Sequence, residues 1–301
     1  MPSLSFVTVD VFTTERFAGN PLAVVNVPKG HVLTTEQMQR MAKEFNLSET
    51  VILHEGVTGD DGVPEWSVRI FLTDAEVPFA GHPTIGTACY ALGTLAKNAG
   101  KGRLLCKAGP IDVDYEDGRA KASIPHNVHL HRDAQFNTAQ LYGLQPALGD
   151  AGAPKAIDIV SPVNGMSFIC AELPSLEALA AIEMSAKPKP QLDEGWDTGF
   201  VGSYFYVVLK HESGGMELRT RMIEGSFEDP ATGSAACALS AFLAMKQRAR
   251  TMSFTITQGV EMGRKSDIGV HVTLKESLDA VEKVELIGSA VKVMEGSIEY
   301  E

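Results

Sequence analysis

The sequence predicts an α+β fold of two similar halves, each a central helix wrapped by antiparallel strands. Three observations lead there. GHPTIGTACYAL at residues 81–92 and EDPATGSAACAL at residues 228–239 share a frame in which Pro83, Gly86, Ala88 and Leu92 match Pro230, Gly233, Ala235 and Leu239 at an offset of 147. Both segments are rich in Ala, Gly, Ser and Thr and nearly free of charge, and a helix polar on no side is buried all round. Each is also flanked by strand-like pairs, so that strand pair, helix, strand pair occurs twice, unlike the alternating βαβ order of a parallel sheet.

The elements follow in order. SFVTVDVF alternates apolar and polar residues as a half-buried strand does, FAGNP reads as a turn, and LAVVNV resumes as the second arm of a hairpin. Thr34 opens a helix, with Gln37 three residues on as a capping box, Met38, Met41, Ala42 and Phe45 at helical spacing, and Asn46 as a stop. VILHEG and WSVRIFL are strands around the turn-rich GDDG. A helix over PTIGTACYALGTLA follows, then the strands RLLCKA and PIDVDYEDGRAKASI with a tight turn at Asp117-Gly118. The second half runs SYFYVVLKH, a Gly-Gly turn, MELRTRMI, the EDPATGSA helix, SFTITQG, VEMGR and GVHVTL. QPALGDAGAPKAIDIV is loop-like, and KPKP at residues 187–190 is an extended linker. The strand-like SAVKVMEGSIEY is expected to return to the first half. The expected domains are 1–124 plus 286–301, and 125–285.

Composition narrows the function classes. A chain of 301 residues with 44% apolar and 21% charged residues is globular in character. Its net charge of -12 and scattered Lys and Arg argue against nucleic acid as a partner. No apolar run approaches a membrane span, and the start of the chain lacks a basic signal-peptide character. Four cysteines without close spacing fit a reduced, cytoplasmic protein.

The repeated segments also suggest chemistry. Pro83 and Pro230 suit the first position of a helix, which would put His82 and Asp229 near the caps. A helix start presents unpaired N–H groups and partial positive charge, a site for a small carboxylate-bearing molecule. Glu49, in NLSETVIL between a helix end and an apolar strand, is a candidate general base. Cys89 and Cys237 lie seven and eight residues beyond His82 and Asp229, about 10 Å along a helix. They sit in apolar stretches where cysteine behaves as a small hydrophobe, so a two-thiol mechanism is disfavoured. His126, His129 and His131 in PHNVHLHRD read as a surface strand rather than a metal site, because no Cys or carboxylate set accompanies them. There is no phosphate-binding loop and no GxGxxG after a strand.

VDVFTTERFAGNPLAVV, NLSET, RIF…EVPFAGHPTIGTA and EDPATGSA, taken together and in this order, resemble the phenazine-biosynthesis PhzF-like isomerases, which have the diaminopimelate-epimerase-like fold. The resemblance covers most of the chain. It implies two pseudo-symmetric domains, each an antiparallel barrel-like sheet around a central helix, with the active site in the cleft between them. It further implies a homodimer that uses neither metal nor organic cofactor and moves a proton within a small carboxylate-bearing metabolite. By resemblance, Glu49 is the principal acid/base group, and His82 and Asp229 assist proton transfer and hold substrate. Gly81, Gly233 and Ser234 line the site with backbone and hydroxyl donors, and Asn20 borders it. Leu72-Thr73 and Ala236 stand where some relatives have Thr-Pro and His, departures that bear on substrate choice. An amino-acid racemase or epimerase is the near alternative, and a catalytically silent binding scaffold the more distant one.

Overall fold

The computed structural model describes residues 2–133, 136–197 and 199–300. Along the first part of the chain lie β1 (Ser3–Val11), β2 (Asn20–Val27), α1 (Thr35–Phe45), β3 (Thr50–His54), β4 (Val57–Thr58), β5 (Pro64–Phe71) and β6 (Glu76–Val77). Next come α2 (Gly81–Ala88), its π-helical continuation Cys89–Leu95, and β7 (Lys101–Cys106), β8 (Gly109–Glu116) and β9 (Arg119–Ser123). There follow β10 (His129–His131), α3 (Thr138–Leu144), α4 (Leu148–Ala151), β11 (Ala156–Val163), β12 (Met166–Glu172), α5 (Leu176–Ala180) and β13 (Phe200–Glu212). The chain ends with β14 (Gly215–Glu224), β15 (Phe227–Asp229), α6 (Gly233–Gln247), β16 (Thr251–Gln258), β17 (Ser266–Leu274) and β18 (Val281–Glu299). It divides into two compact units, Met1–Pro125 with Leu286–Glu301, and His126–Glu285.

In the first unit, eight strands close into a barrel in the order β1, β2, β3, β5, β7, β8, β9, β18 and back to β1. The α+β class therefore holds, with one refinement. β2 pairs with β3, and β5 with β7, in parallel rather than antiparallel fashion. Each parallel joint spans a helix, α1 and α2 respectively, because a chain that must rejoin a sheet in the same direction needs a crossover. The second unit repeats this: β12 and β13 are parallel across α5, and β14 and β16 across α6.

All eight residues of α2 are buried. The helix packs on β1, β2, β3, β7 and β9. Small side chains make this possible: a Cβ on Gly86 would lie 2.6 Å from Val11 Cγ2 and 2.8 Å from Leu22 Cδ2. The α6 helix packs on β11, β12, β16 and β17, and from Gly233 to Ala244 every residue except Ser234 is buried. No helix among the described residues is long and apolar enough to cross a membrane.

Local chemistry sets the ends. Thr34 and Gln37 form the expected capping box, with Gln37 N–H donating to Thr34 Oγ1 at 3.2 Å and Thr34 N–H to Gln37 Oε1 at 2.9 Å. Asn46 ends α1 in the left-handed region, at φ 51°. Two expectations fail. VEMGR is the turn of the β16–β17 hairpin rather than a strand, with Gly259 and Gly263 at φ 74° and 79°. The loop expected over residues 145–160 contains α4 and β11. Its Ala and Gly content hides Leu148, which with Leu141, Leu173, Leu179, Phe205 and Ile223 forms a satellite core under α3 to α5.

Candidate active site

In the first unit, Glu49 is the residue just before β3. Thr50 is fully buried and locked on both sides, opposite Ala23 of β2 and Phe71 of β5, so the neighbouring Glu49 backbone has little freedom. The Glu49 side chain is 16% exposed, and its Oε2 lies 3.6 Å from Nδ1 of His82, itself 4% exposed. His82 is the second residue of α2 and Gly81 the first, following Ala80 in extended conformation. The first-turn N–H groups of a helix lack intrahelical acceptors and point beyond its end. Asn20 begins β2, 1% exposed and opposite Val11. The loop leading to it is clipped by the Asp10 carboxylate, which accepts Phe17 N–H at 2.6 Å, and by Thr13 Oγ1, which accepts Glu15 N–H at 3.0 Å.

In the second unit, Asp229 ends β15 and is 9% exposed. Its Oδ2 accepts the Thr232 hydroxyl at 2.6 Å. Gln258 Nε2 donates to the Asp229 carbonyl at 2.8 Å and to Thr232 Oγ1 at 3.0 Å. Gln258 Oε1 in turn accepts the Tyr204 hydroxyl at 3.2 Å, and that hydroxyl also lies 3.1 Å from Thr220 Oγ1. A wholly buried chain of neutral polar groups thus fixes the carboxylate. Thr232 lies within EDPATG but is not singled out there, whereas Gln258, Tyr204 and Thr220 are not legible as site residues in the sequence, because nothing in their spacing links them to that motif. Thr232 is also the residue capping α6, with Gly233 and half-buried Ser234 as its first two helical residues.

The structure corrects the frame in which the two segments were matched. Neither Pro83 nor Pro230 is a first helical residue: Pro83 is the third of α2, and Pro230 precedes the cap of α6. The equivalences that structure supports lie 152 positions apart, joining Gly81 to Gly233 as the two helix starts. Arg69 grips Glu76 with Nε–Oε1 at 2.8 Å and Nη2–Oε2 at 2.6 Å. Arg221 grips Glu228 in the same way, with both contacts at 2.8 Å. The strand registers agree, since Ile70 faces Val77 and Met222 faces Asp229. EVPFAGH is therefore the counterpart of EDPATGS. Asp229 stands where the first unit has Val77, and Ser234 where it has His82. Thr50 and Ser203, opposite the equivalent Phe71 and Ile223, correspond at an offset of 153, one residue beyond that of the helix heads, which places Gly202 in the position of Glu49.

The thiols are buried, and burial pushes both Cys89 and Cys237 up to about 12, leaving them protonated at neutral pH. The histidine strand is only partly at the surface, with His126 and His129 half-buried. His131 is buried, and the carboxylate that sequence spacing does not supply arrives from Asp193, whose Oδ2 lies 2.8 Å from His129 Nε2.

Residues 9–296 match the family model described as phenazine biosynthesis-like protein. An uncharacterised isomerase of Mesorhizobium japonicum is 36% identical, the match covering 99% of each chain. The trans-2,3-dihydro-3-hydroxyanthranilate isomerase of Pseudomonas aeruginosa is 32% identical, with 97% of this chain and 98% of the relative covered. In fold, the chain matches the crystal structure of the Bacillus anthracis phenazine biosynthesis protein of the PhzF family, with a TM-score of 0.78 at 20% identity over 99% of this chain and 100% of that one.

Proposed function

Because the chain belongs to the phenazine biosynthesis-like family of isomerases, we propose that it moves a proton within a small carboxylate-bearing metabolite by acid/base catalysis, without a cofactor. Glu49 is the principal proton carrier, and His82 and Asp229 assist transfer and hold substrate. Gly81, Gly233 and Ser234 supply backbone and hydroxyl donors to it, and Asn20 borders it. The observation that carries this reading is the Glu49–His82 pair at 3.6 Å, where a half-buried carboxylate and a buried imidazole are held together at a helix start.

In the proposed step, the Glu49 carboxylate takes a proton from a carbon next to a double bond. The C–H electron pair moves into the adjacent π system, the double bond shifts, and a proton returns at its far end. No atom is gained or lost, and the carboxylate is regenerated. An unsaturated amino acid such as trans-2,3-dihydro-3-hydroxyanthranilate, the compound named for the Pseudomonas aeruginosa relative, is the first substrate to try.

One observation favours a double-bond shift over two-base racemisation. Two-base inversion needs proton carriers on opposite faces of the substrate, and duplicated halves would provide them most simply at equivalent positions. Here the counterpart of Glu49 is Gly202. A Cβ at Gly202 would already lie 3.2 Å from Met222 Sδ and 3.2 Å from Phe200 Cε1. The counterpart of Asp229 is Val77.

The test is incubation with this compound and a panel of amino and unsaturated carboxylic acids in heavy water, followed by NMR. A shifted double bond with deuterium at the newly protonated carbon is expected. Inversion of a stereocentre without a double-bond shift would establish the racemase reading instead, and tight binding without exchange the silent scaffold.

A further inference from the structure

We propose that His129, His131 and Asp193 form a binding site for one divalent transition-metal ion of the zinc class, sharing no residue with the active-site network. Among the described residues this is the one group of three or more His, Cys, Asp or Glu whose ligand atoms lie within 4.8 Å of one another. Its donors are two imidazole nitrogens and a carboxylate oxygen, a set suited to a borderline ion with one position left for water.

The site is built from two separated stretches. His129 and His131 are two apart on β10, so both side chains leave the same face of the strand. Asp193 comes from the extended segment between α5 and β13. Its carboxylate oxygens lie 2.8 Å from His129 Nε2 and 3.7 Å from His131 Nδ1. A tetrahedral ion with bonds of ~2.0–2.1 Å spaces its ligands about 3.3 Å apart, a spacing that falls between these two separations.

The surroundings prepare these atoms for a metal. His131 Nε2 lies 2.8 Å from Ser161 Oγ, which is 2.7 Å from Ser167 Oγ. His131 Nδ1 meanwhile accepts the Asp193 N–H at 3.2 Å. This pattern puts the lone pair on Nδ1, where an ion would replace the Asp193 N–H as its partner, and the ring proton on Nε2, facing Ser161. Metal-binding histidines commonly donate their second ring N–H to such a partner. The Asp193 carboxylate is aimed by the N–H groups of Arg132 and Asp133, each at 3.1 Å. Trp196 stacks on His129 with ring centroids 4.5 Å apart and planes 13° from parallel.

Access is from the His129 side, since that side chain is 34% exposed and that of His131 is 0%. Between His129 and Asp193 the ion replaces the 2.8 Å hydrogen bond.

The test uses the full chain, stripped with a chelator and titrated with zinc by calorimetry and with cobalt by visible absorption. The expected result is one ion per chain, with cobalt showing ligand-field bands. His129→Gln, at the exposed edge where folding is least at risk, and Asp193→Asn should each weaken zinc binding by about 100-fold or more. His211→Ala, exposed on β13, should leave it unchanged. No zinc bound at about 0.1 mM free ion, or undiminished binding by folded His129→Gln, would overturn the proposal and leave the trio as a hydrogen-bonded clasp.

Discussion

The heads of α2 and α6 are built on the same plan and carry different chemistry. In both, an arginine in one strand grips a glutamate seven residues later, the short return strand pairs in the same register, and a Pro-x-x-Gly step leads into a buried helix. At the first head, a glutamate from the β3 approach meets a histidine inside the helix. At the second, an aspartate in the return strand is held by a hydroxyl and amide network. The shared parts are those that set backbone path. The proposed proton-handling groups occupy positions where the two copies differ, so the two halves share a frame and not its side-chain chemistry.

The largest effect that would sharpen this comparison is on catalysis. Asp229→Asn should lower turnover about 10²- to 10⁴-fold, the range typical of a positioned acid/base group. Val77→Ala, at the equivalent position, should leave turnover near that of the parent, as steady-state kinetics would show. Equal losses in both would mean that this position is structural in both halves.

The arginine clamps should differ in stability. Arg221 and Glu228 are 8% and 10% exposed, and Arg221 also donates to the carbonyls of Leu179 and Ile182 at 3.0 and 2.7 Å. Arg69 is 24% exposed. Arg221→Met should cost about 3–5 kcal/mol in denaturant unfolding, because it strands a buried carboxylate, whereas Arg69→Met should cost about half as much, because Glu76, though equally buried, keeps Lys107 Nζ at 2.6 Å. The reverse order would contradict the burial argument.

Smaller effects are expected inside the second network. Thr232→Val removes the hydroxyl bonded to Asp229 and should cost about 1 kcal/mol of stability. It should also lower kcat roughly tenfold with little change in KM, since it acts by positioning rather than by contact. Least of all, Cys89→Ala and Cys237→Ala should leave deuterium exchange unchanged, and a loss in either would revive the two-thiol mechanism.

Much of the molecule is legible in its residues alone. Alternation exposes β1, the FAGNP turn introduces β2, the Thr34–Gln37 box marks α1, and the absence of charge around Gly86 and Ala236 marks two buried helices. Ordered motifs lead to the family and, through it, to Glu49. The register of the repeat is misread because Pro and small residues recur in both frames. The decisive equivalence rests on Arg69–Glu76 and Arg221–Glu228, which pair across a strand return that spacing does not reveal. Parallel joints escape notice because a strand facing two neighbours has the same alternation whichever way they run. Gln258 and Asp193 act from 26 to 64 residues away from their partners, beyond any local pattern.

Whether Glu49 carries the transferred proton is decided most directly by NMR of a turned-over substrate in heavy water. The parent protein should place deuterium at the newly protonated carbon. With Glu49→Gln, shown by circular dichroism to be folded, no deuterium should enter above the uncatalysed background. Deuterium entering at the parent rate in that folded variant would remove Glu49 from the proton path and contradict the mechanism proposed for this site.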